Sequence, residues 1–309
     1  MSQKTPRELP AALALAALLI IVAIAAPTFF RGSNLADLLL NNLPALVAAA
    51  GMTLVILAGH IDISIGSQFA ICSVAAGLLA KSGLPIIVVI LGAALAGAVL
   101  GAINGTLVAR AGIPSIVVTL ATMIMLRDAL RWVTEGEWVR GVPASFQWMG
   151  LGQSRGGFAL TIIATIVFAA LAWTLRHLTA GRQLYATGSN LEGARLVGIH
   201  TRSVTAGAFI LCGALTGLAA VLNTLRFAEV QGNAGVGLEM KAIAAVVVGG
   251  AAITGGRGSM LGTLIGAALL GVAGTALAFL GVNSAWERAL QGAIILAAVA
   301  SSGALRDRR

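Results

Sequence analysis

Three polar residues, His60, Asp62 and Ser64, alternate with isoleucines between two apolar runs of the chain. From His60 to Gly66 this alternation has the period of extended backbone rather than that of a helix. If the flanking runs cross a membrane, extended backbone and an ionisable carboxyl group are tolerated there only against protein or a wet cavity. The pattern therefore predicts a break beside a translocation path, where these three side chains can hydrogen bond to a polar solute. The alternative is an interfacial loop in which Asp62 or Ser64 caps the next helix.

The sequence lacks the patterns that catalysis, metal binding and nucleotide binding require. It contains no Gly-Lys pair, and therefore no Walker sequence. The three histidines, His60, His177 and His200, are too scattered for a metal cluster. No Gly-x-Ser-x-Gly elbow accompanies an acid and a histidine. We expect no catalytic residue, no metal site and no cofactor in this chain, so the sequence predicts that it is not an enzyme.

The composition is that of a membrane protein. Hydrophobic residues make up 58% of the chain and charged residues 10%, whereas a soluble domain has about 25% charged residues. The 39 glycines, with many alanines, permit the close helix contacts that stabilise bundles in lipid. A net charge of +9 raises the question of nucleic-acid binding. The basic residues are spread between apolar runs without interleaved aromatic residues, so no nucleic-acid partner is expected.

A bilayer span needs about 20 mostly apolar residues. The sequence offers ten candidates, the third and eighth of them short: 11–30, 42–59, 67–80, 85–109, 114–130, 158–176, 203–222, 240–254, 260–280 and 287–303. They predict an all-α membrane protein, a polytopic bundle of about ten transmembrane helices in a single domain over residues 1–309. The basic start and first apolar run also resemble a signal peptide, but the many later spans favour an uncleaved first helix.

Basic residues predict the orientation of the bundle. Lysine and arginine near both chain ends place both termini in the cytoplasm. The basic loop 177–202 then lies inside, and residues 131–157 lie outside. Few acids occur within the spans, which argues against a proton- or sodium-coupled carrier. Energy for transport would then come from another polypeptide, which would act at the 177–202 loop.

Glycine spacing predicts where helices approach closely. Within three spans, glycines recur four residues apart and can form grooves for neighbouring helices: Gly97, Gly101 and Gly105; Gly213 and Gly217; Gly262 and Gly266. The glycine-dense stretch 249–259 disfavours a helix, since each glycine costs about 1 kcal/mol relative to alanine. We expect a tight turn there between the eighth and ninth spans. No strand precedes it, which excludes a dinucleotide fingerprint.

The segment 182–199 has the pattern of a short capped helix in the basic loop. Ser189 or Asn190 can cap a helix over 191–197, with Glu192 in its first turn and Gly198 at its end. A short helix held in the cytoplasm has no function of its own in the membrane. It is either a docking element for another protein or an ordinary interfacial helix.

Three segments make the chain resemble the permease subunits of bacterial ATP-binding-cassette importers for ribose and related monosaccharides. They are 59–67, with His60 in place of the family's usual glycine, 185–199, and 239–262. The resemblance extends over residues 35–303. It implies import of a monosaccharide across the bacterial inner membrane by a multi-pass permease.

The resemblance also implies partners. These are a second permease copy or paralogue, a periplasmic sugar-binding protein, and cytoplasmic ATPases that bind ATP and magnesium. It assigns contact with the ATPase to seven residues of the cytoplasmic segment: Arg182, Tyr185, Gly188, Asn190, Ala194, Arg195 and Gly198.

The nature of the solute is predicted from two shorter likenesses. Residues 130–148 are most similar to rhamnose-type permeases, and residues 237–245 match a run found in permeases for the autoinducer-2 furanose. Rhamnose or a related sugar is therefore the first prediction, with autoinducer-2 or ribose as alternatives. A branched-chain amino-acid permease shares the fold, and a facilitator that needs no partner is an alternative of a different kind.

Overall fold

The computed structural model describes residues 8–281 and, beyond them, only 286, 289, 292 and 293. Within that part of the chain the protein has eleven α-helices: α1 Leu9–Ala25, α2 Gly32–Leu57, α3 Ile65–Lys81, α4 Ile86–Ala109, α5 Ser115–Thr134, α6 Gln153–His177, α7 Thr179–Ser189, α8 Leu191–Leu196, α9 Thr201–Thr224, α10 Leu238–Val248 and α11 Met260–Phe279. Two 3-10 turns, Pro27–Phe30 and Gln147–Gly150, and two short antiparallel strands, β1 Val139–Arg140 and β2 Glu229–Val230, complete it. The predicted all-α class is confirmed.

The helices do not form a uniform set of ten crossings. A helix occurs at each of the first nine predicted spans, but only α2, α4, α6, α9 and α11 are long and apolar enough to cross a membrane, among the residues described. α10 has 11 residues, which at about 1.5 Å per residue covers roughly half a bilayer. The tenth predicted span, 287–303, lies almost entirely outside the described residues. The count of ten transmembrane helices is therefore not confirmed.

Two boundaries differ from the sequence prediction for identifiable reasons. α2 begins at Gly32, ten residues before the predicted start at 42, because Asn34, Asp37 and Asn41 make its first turns too polar for a hydropathy criterion. α10 ends at Val248 rather than at 254. The two glycines that follow favour a turn, as their low helix propensity predicts.

α2 and α9 lie at the centre of the bundle. Every residue of α2 from Val47 to Leu57 is buried, and a helix buried on all sides must be surrounded by other elements. The outer helices show the opposite pattern, since Leu95 of α4 is 66% exposed and Phe158 of α6 is 70% exposed. Large apolar side chains on the outer surface fit contact with lipid tails, so the bundle has the surface of a membrane protein.

Glycines allow α4 and α9 to touch backbone to backbone. A Cβ atom built on Gly101 would overlap the Phe209 carbonyl oxygen, and one built on Gly213 would overlap the Gly97 carbonyl oxygen. The predicted grooves on the two helices therefore pack into each other. The third set, Gly262 and Gly266, packs against α10 in the same way.

The connecting segments gather at two ends of the bundle. β1 and β2 pair at one end, with Val139 opposite Val230. At the other end the residues after α2, the end of α7 and the turn before α11 touch one another. This arrangement agrees with the prediction that 131–157 and 177–202 face opposite sides.

We predict that Gly213→Ala and Gly207→Ala, both within α9, change stability in opposite directions. The first adds a methyl group where a Cβ overlaps backbone, and overpacking costs about 1–3 kcal/mol. The second has no atom within 4 Å of the added Cβ, so it gains only helix propensity. Thermal unfolding in detergent should show a lower melting temperature for Gly213→Ala alone. Equal melting temperatures would contradict the close contact of α4 and α9.

Candidate functional site

The predicted break between the second and third spans is present. α2 ends at Leu57 and α3 begins at Ile65, with seven non-helical residues between them. Gly59 has a φ of +87°, a conformation that glycine adopts without strain. The extended period was predicted to reach Gly66, but Ile65 and Gly66 already belong to α3, so the break ends at Ser64.

The Asp62 carboxylate lies at the centre of a buried polar network. Its Oδ1 atom accepts hydrogen bonds from the Ser64 backbone N–H (2.9 Å) and from Ser64 Oγ (2.5 Å). Its Oδ2 atom accepts from Gln68 Nε2 at 3.0 Å. Ser64 Oγ also accepts from Gln68 Nε2 at 2.7 Å and from Asn104 Nδ2 at 2.8 Å. All four side chains are at most 1% exposed.

The capping alternative is not borne out, because neither Asp62 nor Ser64 makes a side-chain cap of α3. Asp62 instead accepts the N–H of Ser64, two residues on, and so closes a turn within the break. The network contains Asp62 and Ser64, two of the three predicted path residues, but not His60. The His60 ring is only partly buried and lies 6.0 Å, centroid to centroid, from the Phe209 ring. The assignment of His60, Asp62 and Ser64 to a translocation path remains a prediction.

Sequence reasoning missed Gln68 and Asn104. Gln68 stands one helical turn after Ser64, so the spacing of four residues could have indicated it. Asn104 is 40 residues away from Ser64 in sequence, and only the packing of α3 against α4 brings the two together. The network lies well inside the bundle, since a Cβ on Gly213, near the middle of α9, would be 3.1 Å from Gln68 Oε1.

The predicted capped helix in the basic loop is present as α8. Asn190, rather than Ser189, is its cap, and its Oδ1 atom accepts the Gly193 backbone N–H at 2.9 Å. Glu192 lies in the first turn, and Gly198, with a φ of +82°, follows the helix end. The sequence therefore predicted the capping and the end of α8 to within one residue.

The seven predicted coupling residues do not form one surface. Arg182, Asn190, Arg195 and Gly198 are exposed, whereas Ala194 is buried. The Tyr185 hydroxyl donates to the Gly258 carbonyl oxygen at 2.8 Å. Burial, with a contribution from the nearby Glu8 carboxylate, raises the pKa of Tyr185, so this hydroxyl stays protonated and able to donate at neutral pH.

Gly188 lies at a junction of three backbone segments. A Cβ there would overlap the Leu57 carbonyl oxygen and lie 2.7 Å from the Gly256 N atom. A Cβ on Gly255 would lie 2.6 Å from Gly59 Cα, and the Gly256 N–H donates to the Leu57 carbonyl at 2.9 Å. The end of α2, the end of α7 and the turn before α11 are thus in direct backbone contact. We call these contacts the glycine junction.

The glycine junction joins the three segments that sequence analysis had singled out separately. Residues 249–259 form the predicted turn, and Ser259 caps α11 by accepting the Gly262 N–H at 3.0 Å. A substitution at Gly188 would disturb this internal packing. Its effect on transport would therefore not distinguish lost packing from a lost contact with another protein. The surface of α8 itself carries two exposed apolar side chains, Leu196 (87%) and Val197 (76%).

Comparison with known proteins gives consistent matches over nearly the whole chain. The family described as branched-chain amino acid transport system / permease component matches residues 34–299. The ribose import permease protein RbsC of Escherichia coli K12 is 36% identical over 291 residues, 93% of this chain and 91% of that protein. The autoinducer 2 import system permease protein LsrC of E. coli K12 is 36% identical over 261 residues, 84% of this chain and 76% of that protein. No solved structure matches the chain significantly.

We predict that Asp62→Ala destabilises the protein and that Asp62→Asn does so much less. The alanine variant leaves the Ser64 and Gln68 donors unpaired in a buried site, at about 1–3 kcal/mol for each. The asparagine variant keeps a carbonyl acceptor for Ser64, and the Gln68 amide can turn its unpaired oxygen towards the new N–H. Thermal unfolding of the two variants measures this difference.

Solute uptake by the same two variants tests the path prediction. If Asp62 serves the path, Asp62→Asn loses uptake while it keeps normal expression and melting temperature. Normal uptake by a folded Asp62→Asn protein would limit this residue to stabilising the break before α3.

Proposed function

Because the chain belongs to the family of branched-chain amino acid transport system permease components, we propose that it is the membrane-spanning permease of an ATP-driven importer for a monosaccharide. The observation that carries the proposal is the 36% identity to a ribose import permease over 93% of this chain. The similarity extends over almost all of both chains, so it covers the region of the break and that of the 182–199 segment.

The absence of a Walker sequence supports the view that ATP and magnesium are bound by a separate ATPase. α8 is the element suited to receive such a partner. It is capped at Asn190 and therefore defined in shape, and it presents Leu196 and Val197 to its surroundings. Exposed large apolar side chains beside charged ones are typical of a protein contact.

The proposed solute is a monosaccharide because the relatives include an import permease for ribose and one for autoinducer 2. Rhamnose is the finer proposal, from residues 130–148. That stretch forms the end of α5, β1 and the following turn, so its likeness to rhamnose-type permeases concerns the end of the bundle rather than the Asp62 network. The family description keeps a branched-chain amino acid as a second candidate.

The remaining partners follow from the same proposal. A periplasmic sugar-binding protein would deliver the solute at the end of the bundle that carries β1 and β2. A second permease copy or a paralogue would complete the translocation path. The exposed apolar side chains of α4 and α6 would contact the lipid of the bacterial inner membrane.

We predict that the chain takes up sugar only together with its ATPase and binding protein. Proteoliposomes that contain the complete importer should accumulate radiolabelled ribose, rhamnose or autoinducer 2 when ATP is present at the ATPase side. Leucine and isoleucine in the same assay test the amino-acid candidate. Uptake of sugar by the purified chain alone, without ATP, would show a facilitator and contradict the proposal.

We also predict that Leu196→Asp detaches the ATPase while the permease remains folded. Leu196 has no tertiary role that the substitution would destroy, since it is 87% exposed, but a charge in an apolar contact opposes binding. Co-purification of the ATPase from cells that express both chains measures the effect. Leu151→Asp is the matched control, because Leu151 is an exposed loop residue far from α8 in the chain. Normal ATPase recovery with Leu196→Asp would remove α8 as the docking element.

A further inference from the structure

A second polar group, made of the buried Ser67 and the half-buried Arg127 and Glu239, surrounds the first turn of α3 on a different side from the Asp62 network. Arg127 of α5 and Glu239 of α10 approach each other over Gly66. A Cβ built on Gly66 would overlap Glu239 Oε2 and lie 3.3 Å from Arg127 Nη2. Ser67 completes the group, since its Oγ accepts from Arg127 Nε at 3.3 Å and donates to the Met123 carbonyl oxygen.

This group lies where two helices shorter than a full bilayer span begin, α3 with 17 residues and α10 with 11. α3 starts at Ile65 and runs towards β1, against which Gly77 packs, whereas α10 starts at Leu238 and runs towards the glycine junction. Their first turns meet, because a Cβ on Gly235 would be 2.7 Å from the Gly66 carbonyl oxygen. Interrupted helices whose N-terminal ends meet inside a bundle are a recurrent way to build a solute site in transporters.

The polar atoms of this group are not fully used by the protein. Arg127 Nη1 and Glu239 Oε2 are buried and have no hydrogen-bond partner among the described residues. No ion pair within 4.0 Å joins the two side chains in the described part of the chain. Oxygens of Gln68 and Asn104, on the other side of α3, are also buried without a partner. Buried polar groups are normally satisfied, so such a concentration around one helical turn requires an explanation.

We propose that Arg127, Glu239 and Ser67 form a membrane-embedded binding site for the hydroxyl groups of the transported solute. Solute hydroxyls would donate to Glu239 Oε2 and accept from Arg127 Nη1. A side chain at position 66 would overlap Glu239, so Gly66 lets the Glu239 carboxylate lie against α3 beside Arg127. This inference rests on the proposed function of the chain as a monosaccharide permease.

The charges of the group select the class of solute. A guanidinium repels a cation, and a carboxylate repels an anion, so neither kind of ion is favoured beside the pair. A neutral polyol gains from both, because each hydroxyl is at once a donor and an acceptor. Hydrogen bonds to charged groups are also the stronger ones. The pair therefore fits an uncharged sugar better than a metal ion or a simple anion.

The test measures uptake by the complete importer, with ribose and rhamnose as labelled probes, in three variants. Arg127→Gln and Glu239→Gln should each lower the uptake rate about tenfold to a hundredfold, the loss expected for a hydrogen bond to a charged group. The third variant exchanges the two charges, Arg127→Glu with Glu239→Arg, and should also fail to transport. Asp128→Asn is the control, because Asp128 neighbours Arg127 but is exposed and lies beside Arg131.

The charge exchange separates a solute site from an ion pair that only holds α5 and α10 together. An ion pair of that kind is restored by the exchange, so recovery of uptake in the third variant would overturn the proposal. Normal uptake by either single variant would overturn it as well. If the unaltered importer takes up neither of these sugars nor autoinducer 2, the proposed function fails, and this inference fails with it.

A chemical readout, independent of the rate, uses Ser67→Cys. The chain has two natural cysteines, Cys72 and Cys212, and both are buried. A small thiol reagent should inactivate Ser67→Cys during turnover but not the unaltered protein, and the transported sugar should slow the reaction several-fold. Labelling at the same rate with and without sugar would contradict a solute site at this position.

Discussion

A chain that leaves the helical path inside an apolar bundle must find partners for its freed backbone groups within the protein, because lipid offers none. Asp62 meets this requirement at the break between α2 and α3. Its carboxylate accepts hydrogen bonds from the Ser64 backbone N–H and hydroxyl. The Ser64 hydroxyl oxygen in turn accepts from the side-chain amides of Gln68 and Asn104. The start of α3, its contact with α4 and the position of Gly66 all depend on this arrangement. Burying a carboxylate whose hydrogen-bond partners are all neutral costs folding free energy. The backbone and side-chain groups that Asp62 pairs at the break before α3 offset that cost.

Small residues then decide how closely the surrounding elements approach. Glycines on α4 and α9 bring the two backbones together, and α2 is buried along its whole second half. Glycines also permit direct backbone contact between the segments that meet at the glycine junction. There it connects the end of α7 to the break that Asp62 stabilises. Backbone contact on both sides of Gly188 places α7 and the residues before Asp62 in one rigid unit.

Hydropathy and capping rules located most of the fold because they depend on local sequence. α4 and α11 begin and end within one residue of the predicted spans, and α8 has the predicted cap, with Asn190 chosen over Ser189. What the sequence could not show was the partner of each polar group. Asn104 reaches Ser64 across 40 residues, and Glu239 faces Arg127 from a helix of only 11 residues that hydropathy extended too far. Such pairings arise from the packing of distant segments, and local patterns in the sequence cannot predict them.

The glycine junction also determines how the molecule responds to force. Side chains between two elements act as soft spacers, since their rotamers can change and absorb a small displacement. At Gly59, Gly188 and Gly255 no side chain intervenes, and backbone atoms are already in contact. A displacement of the end of α7 would therefore act directly on the residues before Asp62, because the contact holds no side chain whose rotamer could change and absorb it.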